Sequence, residues 1–282
     1  KADHAKQWSY VLYAGIALAL LLAGFIFNRL KITRPQKVQI EEQKQTVELQ
    51  KKEVEEAHHE LEEKNKEIMD SIQYAQRIQA AILPPQKIWN ENLPDSFVLY
   101  QPKDIVAGDF YWMEKVGDTT FYAAADCTGH GVPGALVSVI CNNGLNRSVR
   151  EFGLTDPSEI LNKTRELVIQ EFEKSEEEVK DGMDIALCAI NGCDLYYAGA
   201  NNPVWIFRNG EFLETKADKM PIGKYAELKP FTTHNIELQA EDIVYTFSDG
   251  FVDQFGGERG KKLKAKNFKK MISDTVSSTM ND

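Results

Sequence analysis

The spacing of apolar and polar residues divides the chain into three regions. Residues 8–27, WSYVLYAGIALALLLAGFIF, carry no charge. About twenty helical residues rise roughly 30 Å, the depth of a bilayer core. Trp8, Tyr10 and Tyr13 cluster at one end, as interfacial aromatics do. A signal peptide would have a shorter apolar core ending in small residues, whereas Asn28, Arg29 and Lys31 follow here. The pattern predicts a transmembrane helix over residues 8–30, with residues 1–7 as an extracytoplasmic remnant. Arg29, Lys31, Arg34 and Lys37 follow the span and only Lys1 and Lys6 precede it. That asymmetry places the C-terminal side in the cytoplasm.

Between Pro35 and Pro84 there is neither Gly nor Pro, and Ile40, Val47, Val54, Leu61, Ile68, Ala75 and Ile82 recur every seven residues. This is a coiled-coil seam. Its companion positions, Gln43, Gln50, Ala57, Lys64, Ser71 and Ile78, are mostly polar. The expectation is a coiled-coil signalling linker over residues 36–83 that forms a marginal homodimer. A single exposed helix lying on a domain is the alternative.

From residue 84 onward the period shortens. SFVLYQP, DFYWMEKV, TTFYAAAD, DIALCAING, DLYYAGANNP, VWIFRNG and IVYTFSDG read as strands between turn residues. Two longer stretches read as helices: one starts near Pro133, and the other is PSEILNKTRELVIQEFEK, with Asp156 or Ser158 as cap. Many strands with two long helices predict an α+β domain over residues 84–282.

Within GDFYWMEKVGDTTFYAAADC, Gly117-Asp118 separates two strand-like runs and reads as a hairpin turn. A loop centred there sets Val116 opposite Thr119, and the same register carried outward sets Asp109 opposite Asp126. Side chains so placed have Cβ atoms about 5 Å apart on one face, and like charges there repel. A shared proton or a divalent cation relieves the repulsion, and oxygen ligands suit Mg²⁺ or Mn²⁺. Carboxylates splayed into solvent at the sheet edge are the other solution. Asp249, in EDIVYTFSDG, ends a third apolar run beside a glycine. Neither Asp109 nor Asp249 has His or Cys beside it, which argues against zinc.

The net charge of −10 argues against nucleic acid as the main partner, and the basic stretch from Arg259 to Lys270 reads as a solvated loop and helix face. Cys127, Cys141, Cys188 and Cys193 show no metal spacing and fit free thiols in a reducing compartment.

DIVAGDFYW (104–112), AADCTGHGVPGALVS (124–138), DGMDIALCAI (181–190), YAGANNPVWI (197–206), MPIGK (220–224) and DIVYTFSDGFVDQF (242–255) follow one another in order. Together they resemble the serine phosphatase domain of the metal-dependent type 2C (PPM) class, in its bacterial SpoIIE/RsbU form. NKEIMDSIQYAQRIQAAILPP resembles the linker that joins such domains to membrane sensors. The resemblance implies a β-sandwich of two antiparallel sheets flanked by helices, with two Mn²⁺ or Mg²⁺ ions at one end. It assigns metal ligation to Asp109, Asp126 (bridging both ions), the Cys127 carbonyl and Asp249. A bridging water would attack phosphorus, leaving the Cys127 thiol without a nucleophilic role. His130 is a candidate general acid, or else a support for the turn, and Lys103 is a candidate phosphate contact. It further implies a phosphoserine or phosphothreonine regulatory protein, of the anti-sigma-antagonist kind, as substrate, and attachment to a bacterial inner membrane.

Family members end with another strand carrying an Asp-Asp or Asp-Asn pair. The sequence as given stops at Asp282, and neither Asp274 nor Asp282 has apolar strand context. The second metal position is therefore expected to be incomplete. Two other readings follow: a catalytically impaired transducer that binds a phosphoprotein, and a sensor histidine kinase with His59 as phosphoacceptor. Against the kinase, no Asn-rich helix precedes a nucleotide lid.

Overall fold

The structure is a computed structural model that describes residues 2–175, 179–256 and 260–275. Lys1, Arg259 and Asp282, which entered the sequence analysis above, lie outside the described residues. The chain divides into two compact units, Lys1–Met69 and Asp70–Asp282.

The first unit is helical throughout and belongs to α1 (Ala2–Ile82). It contains one stretch near the N-terminus, of mean hydropathy 2.3, long and apolar enough to cross a membrane. The sequence placed a boundary between span and linker at Pro35, yet α1 continues through it. A proline inside a helix forfeits one backbone hydrogen bond and crowds the carbonyl four residues back. The regular turns on both sides here override that cost. Beyond Pro35 the seam residues Ile40, Val47, Val54, Leu61 and Ile68 stay exposed, at 56% to 67%. Pairs four residues apart flank them, including Lys51–Glu55 (3.6 Å) and His59–Glu63 (3.9 Å).

The second unit begins with the last turns of α1 and continues with α2 (Gln86–Asn92), β1 (Phe110–Val116), β2 (Thr119–Cys127), α3 (Gly131–Arg150) and α4 (Pro157–Phe172). There follow β3 (Met183–Asn191), β4 (Asp194–Ala200), β5 (Val204–Arg208), β6 (Glu211–Thr215), β7 (His234–Glu237) and β8 (Ile243–Tyr245). Two short strands, β9 (Phe255–Gly256) and β10 (Lys261–Lys262), and the helix α5 (Lys264–Thr275) complete it. Asp156 caps α4, accepting from the backbone N–H groups of Ser158 and Glu159.

The strands form an antiparallel sheet β1-β2-β3-β4-β7, a smaller sheet β6-β5-β8 and the ribbon β9-β10. The larger sheet is buried on both faces, and alternation along β3 shows how. Ile185, Leu187 and Ala189 pack with Val137, Cys141, Leu145, Ile160 and Leu161 of α3 and α4. Ala186 and Cys188 pack instead with Val204 and Ile206 of the smaller sheet. A strand covered on both sides reads as one continuous apolar run, as DIALCAI does. This is the α+β sandwich with flanking helices that the sequence implied.

Two of the expected strands differ. SFVLYQP does not pair: Trp89 Nε1 of α2 donates to Ser96 Oγ (2.9 Å), Tyr100 packs edge-on against Tyr111, and Pro102 has no N–H to offer a ladder. The run before Asp249 is in strand conformation only from Ile243 to Tyr245, because the segment after it turns toward Asp109.

Candidate metal centre

The hairpin register matches the sequence expectation. Phe110 pairs with Ala125 and Val116 with Thr119, and Gly117 takes the left-handed conformation (φ +59°) that the tight turn needs. Asp109 immediately precedes β1, so the same register carries it to the level of Asp126, the penultimate residue of β2.

A fourth carboxylate joins them from β3. Asp184 is the direct partner of Asp126 in the β2–β3 register. The sequence quoted it within DGMDIALCAI without assigning it a role. Its signal was available, since an Asp opens an otherwise apolar strand whose neighbour also ends in Asp. Finding it needed the pairing of β2 with β3, which skips two helices. Asn201 holds Asp184 through Nδ2 to Oδ1 (2.8 Å). Burial raises the Asp184 pKa, that hydrogen bond lowers it, and the charge of Asp249 raises it again.

Asp249 arrives on the loop after β8. Ser248 Oγ donates to Asp109 Oδ2 (2.6 Å), and a Cβ added to Gly250 would lie 3.3 Å from the same oxygen. Gly250 therefore lets that turn close over Asp109. Tyr100 supports Asp109 from the other side, donating its hydroxyl to the Asp109 carbonyl (3.2 Å).

The electrostatic consequence falls on Asp126, whose pKa is pushed up to about 8, first by burial and then by the charges of Asp109 and Asp249. Among the described residues, none of these four carboxylates has a Lys, Arg or His ion-pair partner. No group of three or more His, Cys, Asp or Glu side chains is already closed around one point among them either. What the described residues present is an acidic cluster made of oxygen donors. Such a donor set fits a hard divalent cation such as Mg²⁺ or Mn²⁺.

The Cys127 thiol is closed off from the cluster, and its backbone faces the neighbouring turn. Its side chain is 3% exposed within the core cluster, and burial, followed by a hydrogen bond to Cys141, drives its thiol pKa far up. Its carbonyl faces Gly108: a Cβ there would lie 2.8 Å from Cys127 O and 2.7 Å from Gly129 O. The close approach of these backbones is open only to glycine.

The remaining candidates fall unequally. A cleft of about 450 Å³ is lined by Asp126, His130, Lys180, Asp184, Gly223 and Asp249 among others. His130 sits at its rim, with Nδ1 3.3 Å from Asp104 Oδ2. Lys103 is exposed and is not among the cleft-lining residues; Lys180, to which the sequence gave no role, lines it instead. The two glycine-flanked segments 181–183 and 221–223 meet beside the cleft, where Met183 and Ile222 exchange backbone hydrogen bonds of 3.1 and 2.8 Å.

Residues 117–281 match the family model of stage II sporulation protein E (SpoIIE). The SiaA-PP2C domain of Pseudomonas aeruginosa is 30% identical at a TM-score of 0.69, covering 77% of this chain and 86% of that domain. A more distant likeness is to the PP2C phosphatase domain, with a fragment of the regulatory domain, of SpoIIE from Bacillus subtilis. It is 15% identical at a TM-score of 0.45, covering 62% of this chain and 55% of that one. No curated protein matches the chain. The family model and the likeness to the SiaA-PP2C domain lead to one conclusion: the chain belongs to the SpoIIE family and carries a phosphatase domain of the PP2C type.

Proposed function

We propose that the chain is a membrane-tethered serine/threonine protein phosphatase dependent on Mn²⁺ or Mg²⁺, acting on a cytoplasmic regulatory phosphoprotein. The observation that carries this reading is the facing of Asp126 by Asp109 on one side and Asp184 on the other, with Asp249 beside them. Asp126, central in the cluster, would hold the divalent ions together with its neighbours. Asp109, the Cys127 carbonyl and Asp249 complete the assigned set, and Asp184 is added to it. Bound there, the ions supply Lewis-acid activation of water and neutralise charge on the phosphoryl oxygens.

The chain's own groups do the rest. Asp126 must give up its proton before it can ligate, which couples metal loading to pH. Thr128, Gly129 and His130 of the turn after β2 line the cleft, as do Pro221 and Gly223. His130 turns Nδ1 toward Asp104 and so leaves Nε2 to protonate the departing seryl or threonyl oxygen. Lys180 also lines the cleft, within which its ammonium suits a phosphate dianion.

The apolar stretch of α1 supports membrane attachment through a single span, with the catalytic unit on the cytoplasmic side of a bacterial inner membrane. The exposed seam from Ile40 to Ile68 supports dimerisation of the linker. The test is release of phosphate from phosphoserine and phosphothreonine peptides by the full chain in excess Mn²⁺. Activity that disappears in Asp126→Asn supports the reading. Metal binding without release on any phosphopeptide replaces it with a non-hydrolysing phosphoprotein transducer.

A further inference from the structure

Asp249 stands on a segment that continues well past the cleft. Its carbonyl accepts from the Asp253 N–H (2.9 Å), and the Gly250 carbonyl accepts from Gln254 Nε2 (2.9 Å). The carbonyls of Gln254 and Val252 accept in turn from the N–H groups of Leu263 (2.9 Å) and Lys264 (2.8 Å). The ribbon β9-β10 and the first turn of α5 are thereby fastened to the turn that carries Asp249. Phe268 of α5 completes the brace, with its ring centroid 4.7 Å from that of Phe251 and 5.7 Å from that of Phe247.

This braced piece is strongly basic in a chain of net charge −10. Six of the fourteen residues from Gly260 to Ser273 are lysines and none is acidic. Two of the six are used within the fold: Lys262 pairs with Asp253, and Lys269 pairs with Glu214 while lying over the Trp205 ring. Lys261, Lys264, Lys266 and Lys270 are exposed and have no ion-pair partner among the described residues. Beside them Phe255, opposite Lys262 in the ribbon, is 75% exposed. An aromatic ring left that open adds little to a core, and such rings are common anchors of protein contacts. Lys264 adds a separate sign. It takes the left-handed conformation (φ +67°), where glycine or asparagine would be less strained. A strained residue at such a junction points to a use for its side chain.

We propose that the β9-β10 ribbon and the exposed face of α5 form a docking surface for an acidic segment of the protein substrate, with Phe255 meeting an apolar side chain of that segment. The identity of the partner rests on the phosphatase reading above. A protein is favoured over a lipid surface because the basic piece is hydrogen-bonded to the same turn that brings Asp249 to the cleft. Charge complementarity of this kind speeds encounter and sets specificity, and salt screens it.

The experiment uses the full chain in detergent and two dye-labelled phosphoserine peptides that differ only in their flanks. One carries glutamates and a leucine, the other glutamines and the same leucine. Fluorescence anisotropy gives the dissociation constants. Phosphate release in excess Mn²⁺ gives KM and kcat, with p-nitrophenyl phosphate as a substrate too small to reach the ribbon.

The wild type is expected to bind the glutamate peptide about tenfold tighter at low salt, and the difference should fade as ionic strength rises. Lys261→Glu combined with Lys266→Glu should raise the dissociation constant and KM for the glutamate peptide about tenfold, leaving kcat and p-nitrophenyl phosphate hydrolysis unchanged. Phe255→Ala should weaken both peptides about fivefold, since both carry the leucine. Equal affinity of the wild type for the two peptides overturns the proposal, while phosphate release from either keeps the phosphatase reading. Should the charge-reversed variant fail to fold, Lys266→Gln combined with Lys270→Gln decides: an undiminished preference for the glutamate peptide overturns the proposal. In nanodiscs, a preference kept in phosphatidylcholine and lost in phosphatidylglycerol assigns the surface to anionic lipid and overturns the protein partner. A wild type that releases phosphate from none of the three substrates removes the phosphatase reading and, with it, the substrate as partner.

Discussion

Asp184 stands directly opposite Asp126 across the β2–β3 ladder. Like charges so placed destabilise a sheet, and Asp109 adds a third from the β1 side. The end of this sheet is therefore strained electrostatically in the absence of a cation. Stability and metal binding there are linked and can be separated by substitution.

Replacing Asp126 by Asn removes the cost of keeping the central carboxyl protonated, with little change of shape. The metal-free protein should become more stable, with a melting temperature higher by about 2 °C or more. The wild type should gain roughly 5–10 °C from Mn²⁺ at a hundredfold excess over its dissociation constant, and Asp126→Asn should gain nothing. Differential scanning fluorimetry with and without chelator reads both effects.

The sign of the pH dependence follows from the raised pKa. The native state holds the Asp126 proton up to about 8, whereas the unfolded chain releases it near 3.8. The native state therefore binds more protons in between, and this contribution to stability falls as pH rises through that window. The melting temperature of the metal-free wild type, taken relative to Asp126→Asn, should decline across the same interval. Metal binding should show the opposite slope, tightening toward pH 8 with release of a proton. Calorimetry in buffers of different ionisation enthalpy counts that proton.

Gly108→Ala places a methyl group 2.7–2.8 Å from two backbone oxygens, one of them the Cys127 carbonyl. The backbone must move, and it carries Asp109 on one side of the clash and the Cys127 carbonyl, a proposed ligand, on the other. We expect Mn²⁺ affinity to fall at least tenfold, together with a loss of about 1–3 kcal/mol in stability. Binding that survives while stability falls would separate Cys127 from the site.

Asp184→Asn should keep the fold and lower phosphate release by about tenfold or more, if Asp184 ligates as its position suggests. Asn201→Ala removes the hydrogen bond that draws the Asp184 pKa down. It should produce a milder defect that recovers as pH is raised. A pH–rate profile distinguishes the two variants.

Val54→Asp introduces a charge into the exposed apolar seam of α1. Chemical cross-linking in detergent should capture a dimer of the wild type and only monomer of the variant, while phosphate release from a small phosphopeptide stays within about twofold. A dimer that persists would place the contact elsewhere.

Periodicity of the chain was enough to locate the apolar helical stretch, the helix that continues from it and the β1–β2 hairpin, because each depends on neighbours close in sequence. Asp109 and Asp126 were paired in the same way, through a two-residue turn that permits one register. Asp184 was missed because its facing partner lies across α3 and α4, and no local rule brings β3 beside β2. Lys103 was named on proximity to Asp109 in the chain, and Lys180, which lines the cleft, drew no notice because its closeness depends on strand pairing far along the sequence. The continuity of α1 through Pro35 was not legible either. A proline marks a weak point in a helix, and only the turns on both sides decide whether the helix passes it.

The line of hydrogen bonds from the Ile82 carbonyl through Asn142 and Asn146 to Trp112 runs head to tail: each asparagine spends its oxygen on one neighbour and its nitrogen on the other. No member can turn its amide over without orphaning both neighbours, in a region where Trp112 and Asn142 are each 1% exposed. Partial breakage would leave buried donors unmet, so intermediate arrangements are the least favourable ones. The line therefore has one direction, and both asparagine amides are held in a single orientation.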